Sequence, residues 1–533
     1  MIRPCILSLA CGLVLFAGPP HEIEGRVLDA RTGAPIARAR VTVTFFQPGG
    51  EPVPVMLLTD EGGAFDLKNA PEWNYHVTCE RSGYLSANQP GQGLPGSSSQ
   101  DAKAAPLIVR LIPHGVIEGS VVDERGAPVP FANVQVFRQT IMEGHRQPQV
   151  ASDNAADDTG SFRIFGLDAG RYWVGVTVPA NGSQRAKFAH PPVFYPNSLD
   201  INGAELMDLE PGQERHLRIR LPEPVPAREI RGQVVPAGES VNVQLRPADA
   251  TLSNQSLSLR NDWDEKTKTF KISGVTAGVY VLEANTNVED QYLRAGMTVT
   301  VGNRDITGIR LEPRAPPEVF GTLGVEGTEK PAYSIIELRS RHGRYRAQYD
   351  ADGKFKFNGL PEDTYRLVAS PDGPAYLRSA WQGSRDVLRD GLAVSTESSP
   401  EPLEIVLGGP GANVEGAIAL PDSGRPVNVV VALLRHAGNE MVMEKEALAN
   451  RPLPAGAVLS VSGVPDIQRG NRFTIQGVAP GDYVVYCWPA DSQVPYADSD
   501  FIERYGSFGK AITVRGAEKI SVNLDRLLPR IDP

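Results

Sequence analysis

Chemistry in a folded chain rests on a few side-chain types, and in this 533-residue sequence those are eight histidines, four cysteines and two short acidic clusters. Catalytic zinc favours a histidine with a second histidine or a carboxylate three or four residues further along a helix, so that both reach one ion. His21, His76, His114, His145, His190, His216, His342 and His436 are scattered, and none has such a partner on a stretch that reads as helix. The sequence contains neither a Gly-x-Ser-x-Gly nucleophile elbow nor a phosphate-cradling Gly-Lys-Ser/Thr loop. Asp153, Asp157 and Asp158 before Gly160, and Asp350 and Asp352 before Gly353, are candidate calcium ligands. Calcium collects six to eight oxygens, however, and Asp before Gly is ordinary turn chemistry, which is the favoured reading. The chain therefore reads as non-enzymatic, with no cofactor and no metal; an envelope hydrolase, with a triad assembled from distant loops, is the remaining alternative.

The N-terminus reads as a signal peptide over residues 1–20: Arg3, an apolar run from Ile6 to Ala17, then Gly18-Pro19-Pro20. A retained anchor and lipidation at Cys11 are the alternatives. Cleavage would remove Cys5 and Cys11 and leave Cys79 and Cys487. The remainder has no run of the roughly 18 apolar residues that a membrane helix requires, so the mature chain is expected outside the cytoplasm: periplasmic, outer-membrane-associated or extracellular. A net charge of −10 opposes nucleic-acid binding, which needs a basic footprint.

The elements that must position any site come from a repeat. Glycine and proline together make 98 of the residues, an excess that breaks helices and favours short strands and turns. One alternating phrase occurs five times, as Ile23-Glu24-Gly25-Arg26-Val27, Ile117-Glu118-Gly119-Ser120-Val121, Ile230-Arg231-Gly232-Gln233-Val234, Val319-Phe320-Gly321-Thr322-Leu323 and Val414-Glu415-Gly416-Ala417-Ile418. A second phrase follows in each unit, with Phe162, Ile164, Gly166, Gly170 and Tyr172 in the second and Phe473, Ile475, Gly477, Gly481 and Tyr483 in the fifth. Its two alternating runs and glycine-bearing turn read as a hairpin. Closing runs such as Leu107 to Leu111 and Leu403 to Leu407 complete units whose size suits a small β-sandwich. The expected domains are 21–113, 114–224, 225–314, 315–410 and 411–533. Proline-bearing joints such as Pro222 to Pro226 and Pro313 to Pro317 suggest semi-rigid spacers and an extended string.

These phrases, with Asp29-Ala30-Arg31-Thr32-Gly33-Ala34-Pro35-Ile36, Gly83-Tyr84 and Asp123-Glu124-Arg125-Gly126-Ala127-Pro128-Val129, resemble bacterial carboxypeptidase regulatory-like repeats. The fifth unit has a shorter version from Asp422 to Val427, and the third and fourth rest mainly on the second phrase. The resemblance implies an all-β fold, a tandem array of transthyretin-like (prealbumin-like) sandwiches related to the Cna-B and starch-binding-like folds. It is weak on function, because a fold hosts many functions. Pilus domains of Cna-B type use a lysine for an isopeptide bond, and the five opening phrases contain none.

Residues two apart on a strand share a face. On the strand from the recurring tyrosine, one face carries Tyr172, Val174 and Val176, or Tyr483, Val485 and Cys487, and is the core face. Cys79 and Cys487 take the slot that holds Val176, Ala284 and Ala369, so they read as buried apolar residues and not as a disulfide. The other face is polar in most units, as in Val281, Glu283 and Asn285, but carries Tyr486 and Trp488 in the fifth and Trp173 in the second. Such a stripe marks a covered contact with a loop or neighbouring unit, or a platform for sugar rings. Tyr486, Trp488, Trp173, Tyr376, Trp381, Phe194 and Tyr195 are the candidate contact residues, and polysaccharide or another envelope protein the candidate partner. Asp500 reads as a cap for one or two helical turns.

Overall fold

The computed structural model describes residues 21–47, 50–71, 73–86, 94–96, 106–179, 187–238, 240–248, 257, 259–327, 334–340, 343–347, 349–395, 401–419, 428–437, 440–449 and 472–531. The signal segment, His342 and the run from Asp422 to Val427 lie outside the described residues. Strand is the dominant regular structure among the described residues, arranged in five two-sheet sandwiches.

All five share one wiring. In the second unit the opening strand Gly115–Val122 is central, with Ser161–Leu167 antiparallel on one side and Glu214–Arg220 parallel on the other. The facing sheet is antiparallel, with Asn133–Met142 and the tyrosine strand Gly170–Thr177 at its centre. The same arrangement surrounds His21–Asp29, Arg228–Val234, Val319–Glu326 and Ala412–Ala417.

This wiring explains the recurring glycine. Gly119 sits opposite Phe162 on one neighbour and Leu217 on the other. A Cβ at Gly119 would collide with the Leu217 carbonyl, as one at Gly321 would with Leu403 and one at Gly416 with Val522. At Gly25, Gly232, Gly321 and Gly416 the ring of the unit's recurring phenylalanine also fills the space. The constraint is close approach, because none of these five glycines has a left-handed φ.

The second phrase is not a hairpin. Ser161–Leu167 pairs with the opening strand, whereas Gly170–Thr177 belongs to the facing sheet, and every other unit does the same. The phrase is an arch that carries the chain from one sheet to the other. Alternation shows which side of each run is apolar, and both arms of an arch point that side into the same core, as the arms of a hairpin also would. The tyrosine closes the arch: the Tyr172, Tyr280, Tyr365 and Tyr483 hydroxyls donate to the carbonyl four residues back, at Asp168, Thr276, Pro361 and Ala479.

Each sandwich closes its own core. Cys79 and Cys487 are free thiols in the first and fifth of these, and burial pushes both up to about 12. Glu283 departs from the expected exposed face, because Arg246 and Arg294 fold over it at 2.8 and 2.6 Å.

The array is not an extended string. The turn between Asn133–Met142 and His145–Ala155 of the second sandwich reaches the fourth and fifth, across more than 200 residues of chain. Proline-bearing joints set local stiffness only. The path of the chain is decided by contacts that no joint encodes.

Candidate functional site

The aromatic stripe of the fifth sandwich is covered by the chain itself. Tyr486 and Trp488 are 2 % and 4 % exposed and pack in a second, outer core with Ala432, Leu434, Val494 and Phe501, closed by Leu528 and Ile531 of the tail. Asp500 precedes the helix Phe501–Tyr505, yet its carboxylate makes no cap bond and turns to Arg146 and Arg504 instead. In the second sandwich Phe194 is fully buried against Phe137, with half-buried Trp173 beside the pair. Tyr195 packs partly against the main core of that unit. These five residues are held by intramolecular packing, and Tyr486, Trp488 and Phe194 offer no surface to a ligand. Tyr376 is half-buried, while Trp381 keeps 43 % of its surface. Trp381 lies opposite Glu404 on the outer face of a five-stranded sheet that also carries Phe320, 41 % exposed.

The acidic turns are occupied by backbone. The Asp157 carboxylate accepts from the Thr159 and Ser161 amides and the Thr159 hydroxyl, which hold it below its ordinary range. Asp350 accepts from the Asp352 and Lys354 amides in the same way. Glu118, Glu214 and His216 come close enough to share an ion. Arg163 already stands between the two carboxylates, paired to Glu118 and 2.8 Å from Glu214, and it holds Glu214 below the usual carboxylate range. His216 Nδ1 lies 2.9 Å from Glu118. The group is a cross-strand charge ladder on an outer sheet face, its two carboxylates already bridged by the Arg163 guanidinium.

A dense polar site joins three sandwiches, and sequence reasoning missed it. The chain reverses at Glu143-Gly144, both with left-handed φ as a two-residue hairpin turn requires. Glu143 is nearly buried. Its carboxylate takes Arg344 Nε at 2.5 Å and Arg366 at 3.3 Å, with Arg339 at 3.9 Å, all from the fourth sandwich. Arg339 also pairs with the buried Glu337 at 2.6 Å; burial pushes that carboxyl up, but Arg346 and Arg339 outweigh it and leave it below its ordinary value.

On the fifth sandwich the Tyr496 ring lies over Gly144, where a Cβ would come within 2.5 Å of it. Burial, reinforced by Glu143, pushes the Tyr496 phenol up to about 12. Ala497 N donates to the Gly144 carbonyl at 3.0 Å, and Arg146 pairs with Asp498 at 2.8 Å and Asp500 at 3.2 Å. His145 stands between Glu440 and Asp498, at 3.7 and 3.6 Å. A cleft of about 620 Å³ opens beside this junction, lined by Arg339, Arg366, Arg389, Arg435 and Glu440 among others. The turn itself was visible in Glu143-Gly144 between two alternating runs. Its partners lie hundreds of residues away, and nothing in its local pattern points to them.

A family model described as the carboxypeptidase regulatory-like domain matches residues 22–105 and 116–222. No curated protein matches the sequence. Among solved structures, the Bacillus anthracis TIE protein is similar at 14 % identity over 55 % of this chain and 51 % of that one, with a TM-score of 0.18, so this chain spans about half its length. The minor pilin of Streptococcus agalactiae is similar at 13 % identity over 39 % of this chain and 97 % of its own, with a TM-score of 0.22. The major pilin subunit of Bacillus cereus aligns at 10 % identity over 55 % of this chain and 99 % of its own, with a TM-score of 0.15. Superpositions this loose carry no argument about role. The matched residues span the first two sandwiches, which are similar to the carboxypeptidase regulatory-like domain, and the other three repeat the same two-sheet wiring, so the chain is a tandem β-sandwich repeat protein.

Proposed function

We propose that this protein is a non-catalytic scaffold of the cell envelope, exported through its N-terminal segment, whose role is to hold a fixed multi-domain shape. The observation that carries the reading is the junction: polar side chains of three sandwiches are spent on fixing one domain against two others. The recurring residues support it, because the glycines, phenylalanines and tyrosines common to the units serve strand approach, core and arch. Among the described residues no helix is long and apolar enough to cross a membrane. The test has two arms. Fractionation of the full chain and of one lacking residues 1–20 should place only the former outside the cytoplasm. Purified protein should turn over no ester, peptide or glycoside; sustained turnover, lost on substitution of a residue in the cleft, would sink the reading.

The exposed pair Trp381 and Phe320 supports a second reading, a platform for polysaccharide. Register puts the two rings two strands and two residues apart, about 12 Å on a flat sheet, with Thr322, Lys354 and Glu404 between and beside them to bond hydroxyls. Retention on a polysaccharide gel that Trp381→Ala abolishes would favour it. Absence of retention on any polysaccharide would remove it.

A further inference from the structure

The tip of the second sandwich's hairpin, residues 141–146, meets its partners through ion pairs, through hydrogen bonds from Ile141 N to Gln493 and from Ala497 N to Gly144, and through the Tyr496 ring over Gly144. We propose that this tip is an electrostatic clasp: closed, it holds the array folded back; released, it lets the first three sandwiches swing away from the last two.

The observations fall into three groups. The charges are ordered and complementary, with Glu143 facing arginines of the fourth sandwich and Arg146 facing carboxylates of the fifth. A seating shifted by a residue or two would oppose like charges, so the contact specifies one register. Next, no hydrophobic core crosses the contact. Each of the five cores, and the outer cluster holding Tyr496, is assembled from one sandwich. Opening therefore breaks ion pairs and the cover over Tyr496 and leaves every core shut, which separates it from unfolding.

The third observation is a place to bend. Arg314 is bridged to Arg294 of the third sandwich, and the next strand starts at Val319. Residues 315–318 lie in no strand or bridge. The joint between second and third sandwiches is stiffer, because Phe188–Ala189 pairs with Val225–Pro226 across it. A hinge at 315–318 moves the hairpin away from its receptors as one piece.

The state of the clasp should then depend on ionic strength, because once opened its charges are solvated and their attraction is screened within a Debye length that falls from about 10 Å at 0.1 M to about 3 Å at 1 M. Small-angle scattering on the full chain reads this directly. The wild type at low salt should scatter as a folded-back particle, and its radius of gyration should rise by roughly a quarter at high salt or in Glu143→Arg, relative to compact-chain scaling, with circular dichroism unchanged. A charge exchange, Glu143→Arg with Arg344→Glu and Arg366→Glu, should restore the compact value. The proposal fails if the wild-type radius is indifferent to salt and Glu143→Arg leaves it unchanged. It fails equally if Glu143→Arg expands the chain and the exchange does not recover it, because the closure would then not be electrostatic. The salt titration of the wild type needs no substitution and stands even where a variant folds poorly.

Discussion

At the scale of single residues, the five opening glycines are defined by what they exclude. Gly119 has ordinary backbone dihedrals but no room for a methyl group beside the Leu217 carbonyl. Gly119→Ala should therefore force the opening and closing strands apart and destabilise the second sandwich by about 1–3 kcal/mol or more, seen as a lowered midpoint in urea. Gly302 provides the control, since nothing lies within 4 Å of its missing Cβ and its φ is not left-handed. Gly302→Ala should stay within about 0.5 kcal/mol of wild type, as surface substitutions do. The cysteines are a second case in which burial sets chemistry. The thiolate is the reactive form, and both thiols are pushed up to about 12 by burial. A thiol reagent at pH 8 should leave Cys79 and Cys487 untouched in the native protein and modify both in denaturant. Rapid native modification of either would mean that the first or fifth core opens readily.

At the scale of elements, the arch is the unit of construction, and its tyrosine bears on stability in two ways. Tyr172→Phe keeps the ring in the core but leaves the Asp168 carbonyl without its donor, a loss of about 1–2 kcal/mol. Burial raises the Tyr172 and Tyr483 phenols to about 12. The unfolded chain gives up these protons first, near pH 10. The stability they confer is thus whole below about pH 10 and drains away as pH climbs towards 12, and Tyr172→Phe should flatten that fall in alkaline urea titrations. Aromatic stripes behave as elements too. Trp488→Ala should cost roughly 3–5 kcal/mol and expose residues 490–531 to proteolysis, whereas Trp381→Ala, on an open sheet face, should cost little. The sides of these strands were legible before the structure, because a period of two assigns Tyr172, Val174 and Val176 to one face whatever they pair with. The pairing was not, because an arch and a hairpin present the same alternation. The cover over Trp488 was equally hidden, since it comes from Val494, Phe501 and Leu528, which have no strand period to betray them.

For the molecule as a whole, the five closed cores and the polar junction seen among the described residues pose a question of cooperativity. A string of independent sandwiches would unfold in separate transitions, each at the temperature set by its own core, and two-state bookkeeping would fail for the chain. The junction changes that for three of them. Glu143 is nearly buried among arginines of the fourth sandwich and Arg146 lies between carboxylates of the fifth, so unfolding any one of the three leaves charges on the others without partners. The partners left behind become solvated, so what is lost is the charge-assisted hydrogen bonds themselves, about 1.5–3 kcal/mol each, enough to couple neighbours that are each only marginally stable. The second, fourth and fifth sandwiches should therefore melt within one calorimetric transition at low salt. The double variant Glu143→Ala/Arg146→Ala removes both sets of partners on the hairpin while touching no core. It should split that transition so that the second sandwich melts apart from the other two, leave the first and third where they were, and abolish the salt dependence of the split. A single unchanged transition in the double variant would show that the coupling runs through the joints, and the folded-back shape would then owe little to the hairpin.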